Sequence, residues 1–217
     1  MAPTVGYWGP VTSTLDWCEE NYVVLPFIAE FWNTISNLMM IIPPLCGAVL
    51  AYRERLEARI IWCHVGLLVV GIGSWFFHMT LLYSMQVYLV NKNPVFHEVA
   101  YGLMVFSILA CAVRTMLKYE HSLTLFVVST VSYGMGFLLW NVDNTFCGHL
   151  RYARKNVLGA AGPVTELHAW WHLLAGFGTY LSFLFVTHTR YLYLKKQPKI
   201  KFLHGIAPYV TVNHDRR

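Results

Sequence analysis

Two histidines in the C-terminal part of the chain have the spacing of a pair of metal ligands. His168 and His172 are four residues apart, which places both imidazoles on one face of a helix. His78, on another helix, can supply a third ligand. Three histidines and a water form the open arrangement of catalytic zinc, in which the pKa of the water falls to about 7. Histidines that only hydrogen-bond neighbouring carbonyls are the alternative, and a bis-histidine haem fits poorly because its ligands approach opposite faces of the porphyrin.

Ser74 is the hydroxyl-bearing residue that best matches this histidine set. It precedes His78 by four residues, so the two side chains share one helical face, one turn apart. A hydroxyl at this position can hydrogen-bond a water at the histidines or the oxyanion that develops on a carbonyl under attack. We therefore take Ser74 as the candidate catalytic residue.

Acidic and amide side chains are concentrated near the N-terminus. They are Asp16, Glu19, Glu20, Asn21 and Glu30. Calcium prefers oxygen ligands of this kind, although the loop pattern of an EF-hand is absent from the sequence. A solvated acidic end has the same composition, so the residues alone leave both interpretations open.

The elements that must position these residues are hydrophobic helices. Of the 217 residues, 56% are hydrophobic and 12% charged, whereas about a quarter of a soluble domain is charged. Membrane-spanning helices need about 20 apolar residues, and five stretches qualify: 28–52, 60–83, 95–117, 122–140 and 163–194. Backbone groups in lipid must be hydrogen-bonded internally, so the sequence predicts an all-α, polytopic transmembrane helix bundle.

Lysines and arginines are distributed unequally between the two sides of this bundle. Counted through alternating connections, twelve lie on the side of the C-terminus and four on the side of the N-terminus. The positive-inside rule then predicts a cytosolic C-terminus and an N-terminus that lies outside the cell or in a lumen. The single domain would consist of a lumenal segment 1–30, a bundle 28–194 and a basic tail 195–217. Because topology accounts for the basic charge, and no basic stripe is interleaved with aromatic residues, we expect no nucleic-acid partner.

This orientation gathers the candidate residues on one side of the membrane. The late part of the second span and the early part of the fifth both lie toward the lumen, as does the acidic segment. Cys18 and Cys147 map to the same side, where disulfides persist, so we expect the two cysteines to pair.

Six motifs of the chain resemble those of the alkaline ceramidases. They lie at residues 6–10, 13–22, 29–33, 73–80, 140–144 and 168–172, and together they extend over nearly the whole chain. Among them are Gly73-Ser74-Trp75-Phe76-Phe77-His78 and His168-Ala169-Trp170-Trp171-His172. Members of this family are seven-span zinc amidases of endoplasmic reticulum and Golgi membranes. They hydrolyse ceramides to sphingosine and a fatty acid.

The resemblance implies a role for each candidate residue. Zinc would be bound by His78, His168 and His172, and Ser74 would position the substrate carbonyl or stabilise the oxyanion. Calcium would be bound by Asp16, Glu19, Glu30, Asn21 and the backbone carbonyl of Trp17. The implied partners are the lipid bilayer and, as substrates, ceramide and related sphingolipids.

The chain departs from the family after its second span. Residues 85–86 pass directly into 87–91, which resemble a later loop of the family, so about two spans are absent here. The family carries an aspartate eleven residues after the first zinc-binding histidine, and Leu89 stands at that position. Two functions follow: hydrolysis of the ceramide amide, or an inactive zinc- and lipid-binding membrane protein with a regulatory or receptor-like role.

Overall fold

Helices make up most of the architecture. The computed structural model describes residues 5–13, 17–82, 94–205 and 207–212. The α-helices of these residues are α1 Phe31–Ser36, α2 Leu38–Arg53, α3 Ala58–Thr80, α4 Pro94–Met116, α5 Leu123–Ala153 and α6 Leu167–Tyr193. Two antiparallel hairpins flank them, and their strands are β1 Val5–Gly6, β2 Gly9–Pro10, β3 Lys199–Leu203 and β4 Ala207–Thr211.

Three stretches of the described chain are long and apolar enough to cross a membrane. They are Phe31–Arg53, Ala58–Thr80 and Leu123–Tyr193, of which the third contains both α5 and α6. The apolar part of α4, Gly102–Met116, is shorter. Each of the five hydrophobic stretches selected from the sequence is mainly helical, the first of them being divided between α1 and α2, and the prediction of an all-α membrane helix bundle is confirmed.

The bundle has apolar side chains on its surface and polar ones inside it. Trp62 on α3 and Phe106 on α4 are 70% and 69% exposed, whereas Asn33 and Asn37 at the start of the first span are fully buried. Lipid tails can cover the apolar surface without cost, and the buried polar groups need partners within the protein. The buried polar residues are therefore the candidates for a functional site.

The helices approach one another closely at glycines. A Cβ atom on Gly71 of α3 would lie 2.7 Å from the carbonyl oxygen of Met40 on α2, and one on Gly178 of α6 would lie 2.8 Å from that of Ser129 on α5. Small residues at such crossings let two backbones pack together in the absence of a hydrophobic driving force. These contacts join α2 to α3 and α5 to α6.

The C-terminal residues form a hairpin that the sequence analysis did not predict. The hydroxyl of Tyr180 on α6 donates a hydrogen bond to the carbonyl of Pro208, at 2.8 Å, and Val210 and Val212 are buried against the same helix region. The segment 195–217 was expected only as a basic tail. Polar and apolar side chains alternate at Lys199, Ile200, Lys201 and Phe202, which is the period-two pattern of a strand. This pattern could have predicted the first strand of the hairpin.

The helix α5 extends beyond the end of the predicted fourth span. Hydropathy falls after Trp140, but α5 continues to Ala153 through a kink at Phe146, and a π-helical turn, Arg154–Leu158, follows it. Residues 151–155 are therefore helical rather than a connecting loop. Falling hydropathy marks where a helix leaves the hydrocarbon, whereas the helix itself ends where its backbone and packing partners end.

Candidate metal centre

Three buried histidines meet at one end of the bundle. His78 lies in the last turn of α3, and His168 and His172 lie in the first two turns of α6. One ring nitrogen from each can be chosen so that the three lie within 4.8 Å of one another. All three side chains are at most 4% exposed. The structure thus brings together the three histidines that the sequence analysis selected, in a geometry that can hold a metal ion.

The end of α3 is fixed by the segment that precedes α1. The backbone N–H of Glu30 donates to the carbonyl of His78, at 3.0 Å, and that of Ala29 donates to Met79, at 2.9 Å. The last carbonyls of a helix have no partner within it, so these two bonds satisfy groups that would otherwise be orphaned. They also place the Glu30 side chain directly beside the His78 ring.

His78 is oriented by a buried carboxylate. Its Nδ1 atom lies 2.5 Å from Oε2 of Glu30, which also accepts a hydrogen bond from the Asn33 amide at 3.2 Å. A carboxylate at Nδ1 fixes the proton there and leaves Nε2 with a free lone pair, as in many metal-binding histidines. Glu30 therefore prepares His78 to act as a ligand through Nε2.

His172 is oriented by the start of the first span. The carbonyl oxygen of Asn33 lies 3.1 Å from Nδ1 of His172, and Oγ of Ser36 lies 2.9 Å from it. The Ser36 hydroxyl donates its own proton to the Asn33 carbonyl, so its oxygen is left as an acceptor. These two neighbours then accept from an Nδ1–H, while the side-chain amide of Asn37 lies farther from Nδ1, at 3.4 Å. This tautomer again leaves Nε2 free for a metal.

His168 differs from the other two ligands. Its Nδ1 atom is buried and has no hydrogen-bond partner among the described residues. Instead, its ring packs against Trp17, with the ring centroids 4.4 Å apart, and Trp17 in turn contacts Trp140 at 6.1 Å. The orientation of His168 thus rests on aromatic packing, and the same rings shield the histidines from water.

Ser74 lies on the same helix as His78, one turn earlier, and its side chain is half-buried. This is the position that the sequence predicted. The proposed role of its hydroxyl in positioning a carbonyl or stabilising an oxyanion stays a prediction.

The acidic segment lies next to the histidines. The two carboxylate oxygens of Glu19 accept the backbone N–H groups of Trp32 and Asn33, at 2.7 and 2.8 Å, and so cap the start of α1. Burial raises the pKa of Glu19 to about 8, and the charge of Glu30 adds to the effect. Two buried carboxylates that repel each other form an environment whose negative charge a bound cation would neutralise.

The remaining calcium candidates differ in what the structure shows of them. Asn21 is buried and lies two residues after Glu19 in the sequence. The carbonyl of Trp17 already accepts a hydrogen bond from Arg151, at 3.1 Å, so only its second lone pair is available to a cation. Asp16 lies outside the described residues.

A disulfide and several cationic groups hold the N-terminal segment against the end of α5. Cys18 and Cys147, the pair expected from the sequence, are bonded, with their Cα atoms 5.3 Å apart. The carbonyl of Cys18 accepts hydrogen bonds from both Arg151 and Arg154, each at 3.0 Å. Arg154 also pairs with Glu166 at 2.9 Å, two residues before His168. These contacts tie Trp17 to the start of α6, where it covers the histidines.

Several residues of the centre were missed by the sequence analysis. They are Asn33, Ser36, Asn37 and Arg154. The signal for the first three was present, because a run of buried polar residues inside an otherwise apolar span usually has a functional reason. Arg154 gave no such signal, since a basic residue near the end of a span is ordinarily solvated.

These features define a polytopic helical membrane protein with a buried three-histidine centre at one end of its bundle. The family model described as Ceramidase matches residues 9–88 and 86–211, and the chain belongs to this family. It is 44% identical, over 266 aligned positions and the full length of both chains, to alkaline ceramidase 3 of Mus musculus. It is 29% identical to an alkaline ceramidase of Arabidopsis thaliana, with 95% of each chain covered. Alkaline ceramidase YPC1 of Saccharomyces cerevisiae is 27% identical, over 91% of this chain and 83% of the relative.

The comparisons also agree with the absence of an internal segment. The alignment with the mouse protein has 266 positions and includes all 217 residues of this chain, so 49 positions have no residue here. The two pieces of the family match meet at residues 86–88, where the sequence analysis placed the junction. A stretch of this length corresponds to about two membrane spans and their connections.

Proposed function

We propose that this protein hydrolyses the amide bond of ceramides to give sphingosine and a fatty acid, with zinc bound at His78, His168 and His172. The observation that carries the proposal is the convergence of these buried side chains, two of which are held in the tautomer that leaves Nε2 free. The relatives support the substrate, because they are named alkaline ceramidases.

The three histidines suit zinc in donor type, number and burial. When bound, zinc would act as a Lewis acid that lowers the pKa of a water and polarises a carbonyl. Three protein ligands leave a fourth position open, which is the arrangement of catalytic rather than structural zinc sites. Glu30, Asn33 and Ser36 keep the rings of His78 and His172 in place, so the site does not have to reorganise as charge develops.

The other residues of the site bind and orient the substrate. Ser74 is proposed to hydrogen-bond the amide carbonyl and the oxyanion that forms from it. Trp17 and Trp140 exclude bulk water, which strengthens these polar contacts. In the overall reaction the water oxygen is added to the acyl carbon, the C–N bond breaks, and the sphingosine nitrogen takes up a proton.

Calcium is proposed to bind at Asp16, Glu19, Glu30, Asn21 and the carbonyl of Trp17. The burial of Glu19 and Glu30 close to one another supports this assignment. Because Glu30 also contacts His78, a cation at this position would stabilise the segment that orients the zinc ligand. Its role would therefore be structural or regulatory.

The N-terminal side is proposed to be lumenal and the C-terminus cytosolic, in endoplasmic reticulum and Golgi membranes. The distribution of lysines and arginines supports this orientation. The Cys18–Cys147 disulfide also supports it, since disulfides are maintained in an oxidising lumen.

The test is release of fatty acid from an unsaturated long-chain ceramide by the purified protein, at alkaline pH and with calcium. We expect turnover by the wild type, none by His172→Ala, and loss with a zinc chelator that is reversed by added zinc. His149→Ala is the matched control, because His149 is exposed near the end of α5, outside the centre, and should retain full activity.

A folded protein that retains zinc but releases no fatty acid would overturn the hydrolase assignment. The chain would then be an inactive zinc- and lipid-binding member of the family. One observation favours that alternative: Leu89 replaces the aspartate that the resemblance implies, and loss of an acid–base group typically costs about 10²–10⁴-fold in rate. The assay must therefore detect turnover well below that of a seven-span relative measured in parallel.

A further inference from the structure

The N-terminal segment carries an exposed apolar surface that the site does not use. Its residues, here called the N-terminal apolar surface, are Val5, Tyr7, Trp8, Val23, Val24 and Phe27. Tyr7 is the most exposed of them, at 74%. None of the six residues is charged, although the neighbouring sequence is acidic. Scattered apolar residues on a surface need no explanation, but six on one short segment outside the membrane-spanning stretches do.

This surface is held in a fixed shape by hydrogen bonds. The backbone N–H of Tyr7 donates to the carbonyl of Pro26 at 3.1 Å, and the indole N–H of Trp8 donates to the carbonyl of Phe27 at 2.8 Å. The Tyr7 and Trp8 rings pack edge to face, with centroids 4.9 Å apart. The hairpin of β1 and β2 is thereby attached to Pro26 and Phe27.

The hydrogen bonding suits a partly apolar environment. An indole N–H or a backbone N–H that enters such an environment without a partner costs free energy. In this segment the Trp8 indole N–H and the Tyr7 backbone N–H are already bonded within the protein, so both can leave water at little cost. The Tyr7 ring is exposed, so its hydroxyl can reach the headgroups.

The position of the surface relative to the helices indicates what covers it. Residues 29 and 30 bond to the carbonyls of Met79 and His78, at the end of the long apolar helix α3, and the first membrane-spanning stretch begins at Phe31. The surface therefore lies at the level where two spans leave the hydrocarbon. Tryptophan and tyrosine are enriched at this level in membrane proteins, with the apolar ring toward the lipid and the polar tip toward water.

We propose that the N-terminal apolar surface lies in the headgroup region of the bilayer that the helices span. The lipid surface, rather than a partner protein, is its binding partner. The same segment continues into Trp17, Glu19 and Glu30, so its contact with lipid fixes the depth of the residues that cover and orient the histidines. This inference concerns the placement of the segment and does not depend on the hydrolase proposal.

The test measures the depth of Trp8 in the full chain. The protein, labelled with 5-fluorotryptophan, is placed in phosphatidylcholine nanodiscs, and Trp8→Phe assigns the Trp8 ¹⁹F resonance by its disappearance. A lipid with a nitroxide near the carbonyl end of its acyl chain and a water-soluble gadolinium chelate are then compared as broadening agents. We expect the lipid nitroxide to broaden the Trp8 resonance several-fold more than the chelate does. Broadening mainly by the chelate would overturn the proposal and leave the surface to a partner in solution.

A second variant asks whether the apolar side chains themselves cause the placement. In the double variant Tyr7→Ser, Phe27→Ser, we expect the lipid nitroxide to broaden the Trp8 resonance less, and the gadolinium chelate to broaden it more, than in the wild type. Tyr119→Ser, at an exposed aromatic residue in the connection between α4 and α5, is the control and should change nothing. A non-reducing gel tests whether the variant still contains the Cys18–Cys147 disulfide. Its presence shows that the segment is still folded. Unchanged lipid broadening of Trp8 in the double variant would contradict the proposal.

Discussion

The carboxylate of Glu30 lies 2.5 Å from Nδ1 of His78, and the contact is buried. Glu30 belongs to the segment before α1, whereas His78 belongs to the last turn of α3. The pair therefore joins the acidic N-terminal segment to the three-histidine centre. Its consequence for metal binding can be measured directly, without reference to catalysis.

Glu30→Gln should weaken zinc binding by about 10–100-fold, because a neutral amide holds the imidazole less firmly and makes it a poorer donor. The measurement is a competition titration with a chromophoric zinc chelator in calcium-free buffer, so that any calcium site is empty in both proteins. Glu20→Gln is the matched control, because Glu20 pairs with Lys155 and does not contact the histidines. Equal zinc affinity in wild type and Glu30→Gln would contradict the role given to Glu30.

Ser36→Ala should also weaken zinc binding, toward the lower end of the same range, since the Asn33 carbonyl still accepts the Nδ1–H of His172. Ser36→Thr keeps the hydroxyl and should bind zinc nearly as well as the wild type. Nitrogen-15 spectra of the histidine side chains of the metal-free protein report the tautomer. We expect a mixed population at His172 in Ser36→Ala only, and an unchanged tautomer together with unchanged affinity would remove Ser36 from the site.

The features that were predicted correctly from the sequence depend on local patterns. About 20 apolar residues in a row are enough to predict a helix in a membrane, and the spacing of His168 and His172 is enough to place them on one face. His78 could be added because the alternation of spans puts its end of the second span on the same side. Each of these inferences needs only the chain near the residue and the number of membrane crossings.

The features that the sequence did not reveal depend on contacts between distant segments. Ser36 acquires its role from His172, which lies 136 residues further along the chain. The extension of α5 beyond Trp140 depends on Asp143, which is fully buried beside the start of α6, and on Arg154, which bonds to Cys18. No local pattern encodes these pairings, so hydropathy and spacing could not predict them.

Loss of the disulfide should destabilise the protein. The bond between Cys18 and Cys147 closes a loop with a sequence separation of 129 residues, and removal of a native disulfide typically costs about 2–5 kcal/mol. Cys18→Ser, Cys147→Ser and the double variant should lower the thermal unfolding temperature by the same amount, because each removes one and the same bond. Cys63→Ser and Cys111→Ser, at exposed free cysteines, should leave it unchanged. Additive effects of the two single variants would show that the cysteines act separately.

Gly178→Ala should weaken the packing of α6 on α5. The new methyl group would lie 2.8 Å from the carbonyl oxygen of Ser129 and 2.9 Å from the backbone nitrogen of Tyr133, and both are backbone atoms that cannot turn aside. We expect a loss of about 1–3 kcal/mol in the free energy of unfolding, measured by SDS titration in mixed micelles. Gly134→Ala is the matched control on α5, where a methyl group meets no atom within 4 Å and alanine favours the helix by about 0.5–1 kcal/mol. Because α6 also carries His168 and His172, zinc affinity should fall with stability in Gly178→Ala and stay constant in Gly134→Ala.

Equal stability of the two variants would contradict the prediction. It would mean that the helices can move apart at this crossing at little cost, and that their close approach at Gly178 does not hold the histidine-bearing helix in place.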